Sequence, residues 1–128
     1  MMPREYFAAR FVTPEVPRFP EEFAIVTGYA TTGERWSEER NQASNAALFA
    51  ELQSRGVWVH PVTGVSPDGT HAEPGWAAAL PFDDACDLGR RFLQLAIYYV
   101  RGDALFVSFC DERRGLVRVG SFRERLDA

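Results

Sequence analysis

Residues 57–80, VWVHPVTGVSPDGTHAEPGWAAAL, decide the fold. Val57–Val62 is rich in β-branched and aromatic side chains, the next dozen residues are dense in turn formers, and Trp76–Leu80 is apolar again. The stretch therefore predicts a hairpin of two strands with a long tip. A helix is expected on each side of it. Upstream, Ser37 is a good N-cap, Glu38 and Glu39 put negative charge in the first turn where the helix dipole favours it, and Gly56 supplies a stop. A helix over 38–55 follows. Downstream, Asp83 and Asp84 suit a helix start, and Leu88, Phe92 and Leu93 carry a second helix to about Gln94.

Strands flank these helices. FAIVTGY at 23–29 is β-branched and aromatic and is ended by the turn-rich ATTGER, while LAIYYV at 95–100 follows the second helix. The order strand, helix, strand, strand, helix, strand is that of an α+β, ferredoxin-like split βαβ sandwich (βαββαβ). Ala104–Cys110 and Leu116–Phe122 extend it by one or two C-terminal strands, and the Arg101-Gly102-Asp103 triplet is the turn before them. Residues 1–22 mix Tyr6, Phe7, Phe11 and Phe19 with prolines and are expected as a docked N-terminal arm. Residues 23–128 form the single domain.

With 128 residues, 46% hydrophobic and 25% charged, the chain suits one core. Its net charge of −4 argues against a broad grip on nucleic acid. All 14 basic side chains are arginine, which removes lysine Schiff-base chemistry and a P-loop lysine. No stretch approaches the ~18 apolar residues of a membrane span, and Arg4, Glu5 and Arg10 interrupt any apolar leader, so a cytoplasmic protein is expected. Cys86 and Cys110 have neither disulfide-framework nor metal spacing. His60 and His71 make no His-x-x-x-His pair, and neither a G-x-S-x-G elbow nor a glycine-rich phosphate loop occurs. No metal or cofactor is expected.

The split βαβ connectivity sends the loop 30–36, the start of the first helix, the hairpin tip and the exit of the second helix to one end. Asn41, Asn45, Leu48 and Leu52 are spaced by four, three and four, so the two amides share an inward stripe with two leucines. A buried unpaired amide costs about 1–3 kcal/mol. Both asparagines therefore need partners, in the hairpin tip or the preceding loop, with Glu73 and Gln94 the nearest unspent polar groups. Either they hold those loops or they present amides to a ligand. Asp68, in Pro67-Asp68-Gly69, suits a turn. His71 and Glu73, two apart, form a surface pair or an acid/base pair. The ligand-binding candidates are Asn41, Asn45, Asp68, His71, Glu73, Arg90 and Gln94.

These motifs together resemble an uncharacterised bacterial family, domain of unknown function 3293. The resemblance runs from about Phe23 to Val100 and rests on FAIVTGY, SEERNQASNAAL, PDGTHAEPGW and GRRFLQLAIYYV. It implies that Asn41, Asn45, Pro67, Asp68, Gly69, Glu73, Pro74 and Gln94 occupy the family's characteristic positions. Arg40 stands where an acidic residue is familiar, and Leu95 where an asparagine is. The family brings no established activity.

Three functions compete. The first is a small binding or regulatory module whose polar pocket at one end of the sheet holds a small polar ligand or a protein partner's loop. The second is an enzyme with Glu73 or His71 as general base. The third is a protein-interaction domain that pairs through a sheet edge such as Ala104–Cys110.

Overall fold

The computed structural model describes residues 1–127. After a 3-10 turn at Arg4–Phe7, the chain runs through β1 (Arg10–Val12), β2 (Glu22–Val26), α1 (Glu38–Ser54), β3 (Val59–Val65), β4 (Ala72–Ala78) and α2 (Phe82–Arg91). It continues with β5 (Ala96–Arg101), β6 (Ala104–Phe109), β7 (Val117–Ser121), α3 (Phe122–Arg125) and β8 (Leu126–Asp127). The class is α+β, as the order of elements predicts.

Local chemistry explains the elements that match expectation. The Ser37 hydroxyl accepts the Arg40 N–H at 3.1 Å and caps α1. Gly56 ends that helix with φ of +67°, a left-handed conformation that glycine adopts without steric cost. The hairpin differs from expectation, because β3 and β4 pair continuously from Val59↔Ala78 to Val65↔Ala72, leaving a tip of only Ser66–His71. Pro74 lies beyond the stretch of β4 that pairs with β2, where only one neighbour needs ladder bonds and a residue without N–H is tolerated. Helix α2 also stops three residues early. Leu93 takes φ of +61°, and the Gln94 N–H turns back to the Gly89 carbonyl at 2.9 Å. This is a helix stop of the left-handed type, built on a leucine that no glycine rule anticipates.

The sheet departs further from the expected sandwich. Its order is β7-β6-β5-β2-β4-β3-β1-β8, antiparallel throughout except for the parallel β1–β8 pair. Instead of one or two extra strands there are three after β5, and the first segment adds β1 toward the far edge. Strand β6 pairs with β5 and β7, so Ala104–Cys110 is not an edge. The expectation of pairing in trans through it is corrected.

The sheet is strongly curled, for a reason of length. Eight strands laid flat at about 4.8 Å spacing would hold β7 and β8 roughly 34 Å apart. Only the four residues of α3 join them, and a chain spans at most about 3.5 Å per residue. The two edges must therefore approach each other. On the side away from α1 and α2, the curl encloses Phe11, Phe23, Ile25, Val62, Val100, Leu105 and Phe122, with Phe19 and Trp58 packed against them. The helices cover the other face, where Val26, Leu48, Leu52, Leu88, Ile97 and Tyr99 form a second core.

Phe122 fastens the curl. Its ring centroid lies 5.7 Å from Phe11, 5.1 Å from Phe19 and 5.3 Å from Phe23, and it is 3% exposed. The nearby Arg10–Asp127 ion pair is short, at 2.6 Å, but both partners face solvent, where such pairs contribute at most about 1 kcal/mol. Packing thus outweighs the ion pair. Phe122→Ala is expected to lower stability by about 3–5 kcal/mol and Arg10→Ala by no more than about 1 kcal/mol, as measured by urea denaturation. The opposite order would mean that the ion pair, not the aromatic cluster, holds the edges together.

Candidate functional site

The candidate site is built around the segment after β2. At Gly28 the chain crosses so close to α1 that a Cβ there would stand 2.6 Å from the Asn45 backbone nitrogen and Cα. Only glycine fits this crossing. The Asn45 Oδ1 accepts the Gly28 N–H at 2.9 Å, and one turn earlier Asn41 Oδ1 accepts the Ala30 N–H at 2.8 Å. From the exit of α2, Gln94 Nε2 donates to the Tyr29 carbonyl at 2.6 Å and to the Phe92 carbonyl at 3.2 Å. The Leu95 N–H donates to Thr31 Oγ1 at 2.9 Å.

These bonds pin residues 28–31 from both helices. The inward stripe is as expected, with Asn45, Leu48 and Leu52 buried and Asn41 half-buried. The partners differ, however. The backbone of the preceding loop supplies a donor to the Oδ1 of each asparagine, and neither Glu73 nor Gln94 bonds them.

Glu73 goes elsewhere because strand side chains alternate. Trp76 faces α1, stacking on Phe49 at 4.4 Å and donating its indole N–H to the Asn45 carbonyl at 3.1 Å. Glu73, three residues earlier on β4, therefore faces the inside of the curl. There a cavity of about 60 Å³ opens at the mouth of the sheet, with Tyr6, Thr27, Thr31, Thr32, Glu73, Gln94 and Tyr98 around it and Phe11, Ile25 and Val62 among its apolar lining. Its volume is less than half the ~150 Å³ of a cavity that holds benzene. It suits one functional group, not a whole drug-sized molecule.

The arm roofs this cavity. Thr32 Oγ1 donates to the Tyr6 hydroxyl at 3.0 Å, and the Tyr98 hydroxyl donates to the Tyr6 carbonyl at 2.7 Å. Arg125 holds the same arm through the carbonyls of Phe7 at 2.8 Å and Ala9 at 3.1 Å. Sequence reasoning missed Tyr6, Tyr98 and the three threonines. The available signals were the aromatic density of the arm and the alternation along AIYYV, which puts Tyr98 on the face opposite Tyr99.

The other candidates separate. Asp68 accepts from Thr70 N–H, Thr70 Oγ1 and Ser66 Oγ, bonds that favour its charged form and pull it down to about 2. It is occupied within the tip. His71 is exposed at that tip, where its N–H meets Ser66 Oγ at 3.1 Å, and it does not line the cavity. Arg90 is exposed on a separate open groove of about 340 Å³, beside Glu34, Leu93 and Asp111. Gln94 lines both hollows.

Two acceptors on residues that line the cavity have no hydrogen-bond donor among the described residues. Gln94 is 7% exposed, and its Oε1 accepts no hydrogen bond among the described residues. The Glu73 carboxylate makes neither a hydrogen bond nor an ion pair among them, while its backbone belongs to the β3–β4 ladder. Although Glu73 retains exposure at the rim, the surrounding protein pushes its carboxyl above the usual range, and the positive potential of His71 only partly opposes this. Cys86 and Cys110 are buried free thiols, with Cys110 pushed up to about 12 by burial, so neither is an activated nucleophile. Among the described residues no helix is long and apolar enough to cross a membrane, and no cluster of three metal-ligating side chains occurs.

Asn45→Ala leaves the buried Gly28 N–H unpaired and is expected to cost about 1–3 kcal/mol, while Gly28→Ala, which forces two backbones apart, should cost a similar amount. Chemical denaturation of both variants checks this. Values within ~0.5 kcal/mol of the parent would mean the crossing is not under constraint.

The family described as Protein of unknown function (DUF3293) matches residues 26–97, more than half of the 128-residue sequence, and the chain belongs to that family. The matched span includes Asn41, Asn45, Glu73 and Gln94 but stops short of Tyr6 and Tyr98. No curated protein and no solved structure matches the chain.

Proposed function

We propose that this member of the DUF3293 family is a small binding or regulatory module whose ligand site is the mouth of the curled sheet, roofed by Tyr6 and bounded by Glu73 and Gln94. The observation that carries this reading is the unspent Oε1 of Gln94. No side-chain polar atom is both fully buried and unpaired among the described residues, so this oxygen keeps access from outside, and an accessible, uncommitted acceptor on a residue lining a cavity is what a ligand's donor requires. Asn41 and Asn45 serve the site indirectly, by fixing the loop that carries Thr31 and Thr32. A ferredoxin-like core is part of the same proposal. Its support is the antiparallel run β5-β2-β4-β3, with α1 and α2 packed on one face.

The test is a small-molecule screen followed by amide-resolved NMR. Ligands should perturb Thr31, Glu73 and Gln94, and Gln94→Leu, which keeps the bulk and removes the acceptor, should weaken them. Hits that map elsewhere and ignore this substitution would overturn the site.

A second reading, an enzyme with Glu73 as general base, draws on the carboxyl held above its ordinary range at a cavity. His71 falls away as the base because it does not line that cavity. The raised Glu73 has a consequence independent of either reading. It binds its proton more tightly in the folded state, so its ionisation costs stability, a cost absent below the ordinary range near ~4.3 and growing as pH rises through the raised folded value. Glu73→Gln should therefore gain stability relative to the parent between about pH 4 and pH 8. Urea midpoints at the two pH values measure the effect, and a difference that does not change with pH would contradict the shift.

A further inference from the structure

We propose that the cavity at the mouth of the curled sheet takes the ammonium head of a small primary amine. This rests on the binding-site reading above and specifies its ligand. Most of the donors and acceptors around the cavity already have partners. Thr27 Oγ1 donates to the Pro74 carbonyl at 2.6 Å and accepts the Tyr29 N–H at 3.0 Å. Thr32 and Tyr6 hold each other, and Tyr98 is spent on the Tyr6 carbonyl. Thr31 Oγ1 accepts the Leu95 N–H, and the Tyr6 hydroxyl keeps its own hydrogen free to donate. Two acceptors on lining residues have no hydrogen-bond donor among the described residues, Gln94 Oε1 and the Glu73 carboxylate, and the second is the charged one.

Charge then selects the ligand. Among the described residues no arginine or histidine lines the cavity, and Glu73 is the one carboxylate that does. An anion entering there would meet the Glu73 charge directly, with His71 and Arg125 acting only from outside the lining, whereas a cation would pair with it. An ammonium group brings three donors to these acceptors. The rings of Tyr6 and Tyr98, edge to face with centroids 5.9 Å apart, add π surface of the kind that favours cations. The volume of about 60 Å³ admits the head group with a short methylene stem and leaves the remainder of the amine outside.

The probes are propylammonium, propionate and 1-propanol, matched in size and differing in charge, titrated into the full chain and followed by the amide signals of Thr31, Glu73 and Gln94. The expected result is saturable binding of propylammonium alone, weakened about tenfold or more in Glu73→Gln, since a hydrogen bond to a charged group contributes about 1.5–3 kcal/mol. Glu73 is exposed at the rim, and a dispersed amide spectrum of the variant verifies that it folds. If propionate or propanol binds as well as propylammonium, or if Glu73→Gln binds the amine undiminished, the ammonium assignment is overturned while the cavity survives as a site. If none of the three perturbs the cavity in the parent or in Tyr6→Ala, which removes the roof, both the assignment and the site fall. A longer diamine and a lysine-containing peptide distinguish a free amine from the side chain of a partner protein.

Discussion

The short link between β7 and β8 is the constraint on which the rest of the architecture depends. Because α3 has only four residues, the outermost strands of an eight-stranded sheet are brought together, and the sheet acquires an inside. That inside needs bulky filling, and the phenylalanines of four separate segments provide it: Phe11, Phe19, Phe23 and Phe122. The filling stops short of the end where β2 and β4 leave the ladder. Aromatic packing there gives way to tyrosines, threonines and one carboxylate, and the hollow is bordered by polar atoms instead of closing completely. Curvature and cavity thus have one origin.

The loop between β2 and α1 is shaped by a different need. Its backbone groups lie near both helices and would be orphaned without partners, so side-chain amides take over the role that a neighbouring strand plays elsewhere. Each asparagine uses its carbonyl oxygen on one N–H, and Gln94 uses its amino group on the Tyr29 carbonyl. The orientation of Gln94 follows from the left-handed turn at Leu93. Left-handed φ is uncommon for leucine, and the residue is 56% exposed, so little burial of its own offsets the conformation. The turn instead delivers the next residue to the Tyr29 carbonyl.

Much of this was legible in the residues. Ser37, Glu38 and Gly56 locate α1 within a residue or so, since caps and stops are local chemistry. The four-three-four spacing identifies the face of α1 that carries Asn45 inward, and connectivity alone brings that helix start and Gln94 to the same end. What could not be read is non-local. The parallel seat of β8 beside β1 depends on a two-residue strand with no periodicity to detect. The extension of β4 back to Ala72 was hidden by Pro74 and Gly75, which look like a loop until the missing neighbour beside them is known. Sequence alone groups Glu73 with the asparagines, because the strand register that turns it to the opposite face is not local information. Tyr6 was seen as an aromatic of the arm, but nothing local tells which hollow an arm covers.

The seam between β1 and β8 also imposes an order in time. Arg10 and Asp127, which meet across it, are 117 positions apart, so this contact closes a very long loop. The hairpins β3–β4 and β5–β6 need only short closures and gain their ladders early, whereas the seam must wait until the tail is available. During synthesis the arm precedes Arg125 and Phe122, which anchor it, by more than a hundred residues and waits for them without these partners. The hollow beneath Tyr6 is accordingly completed only when two segments far apart in sequence meet, and a chain without residues 122–127 would lack the anchors that hold the arm over it.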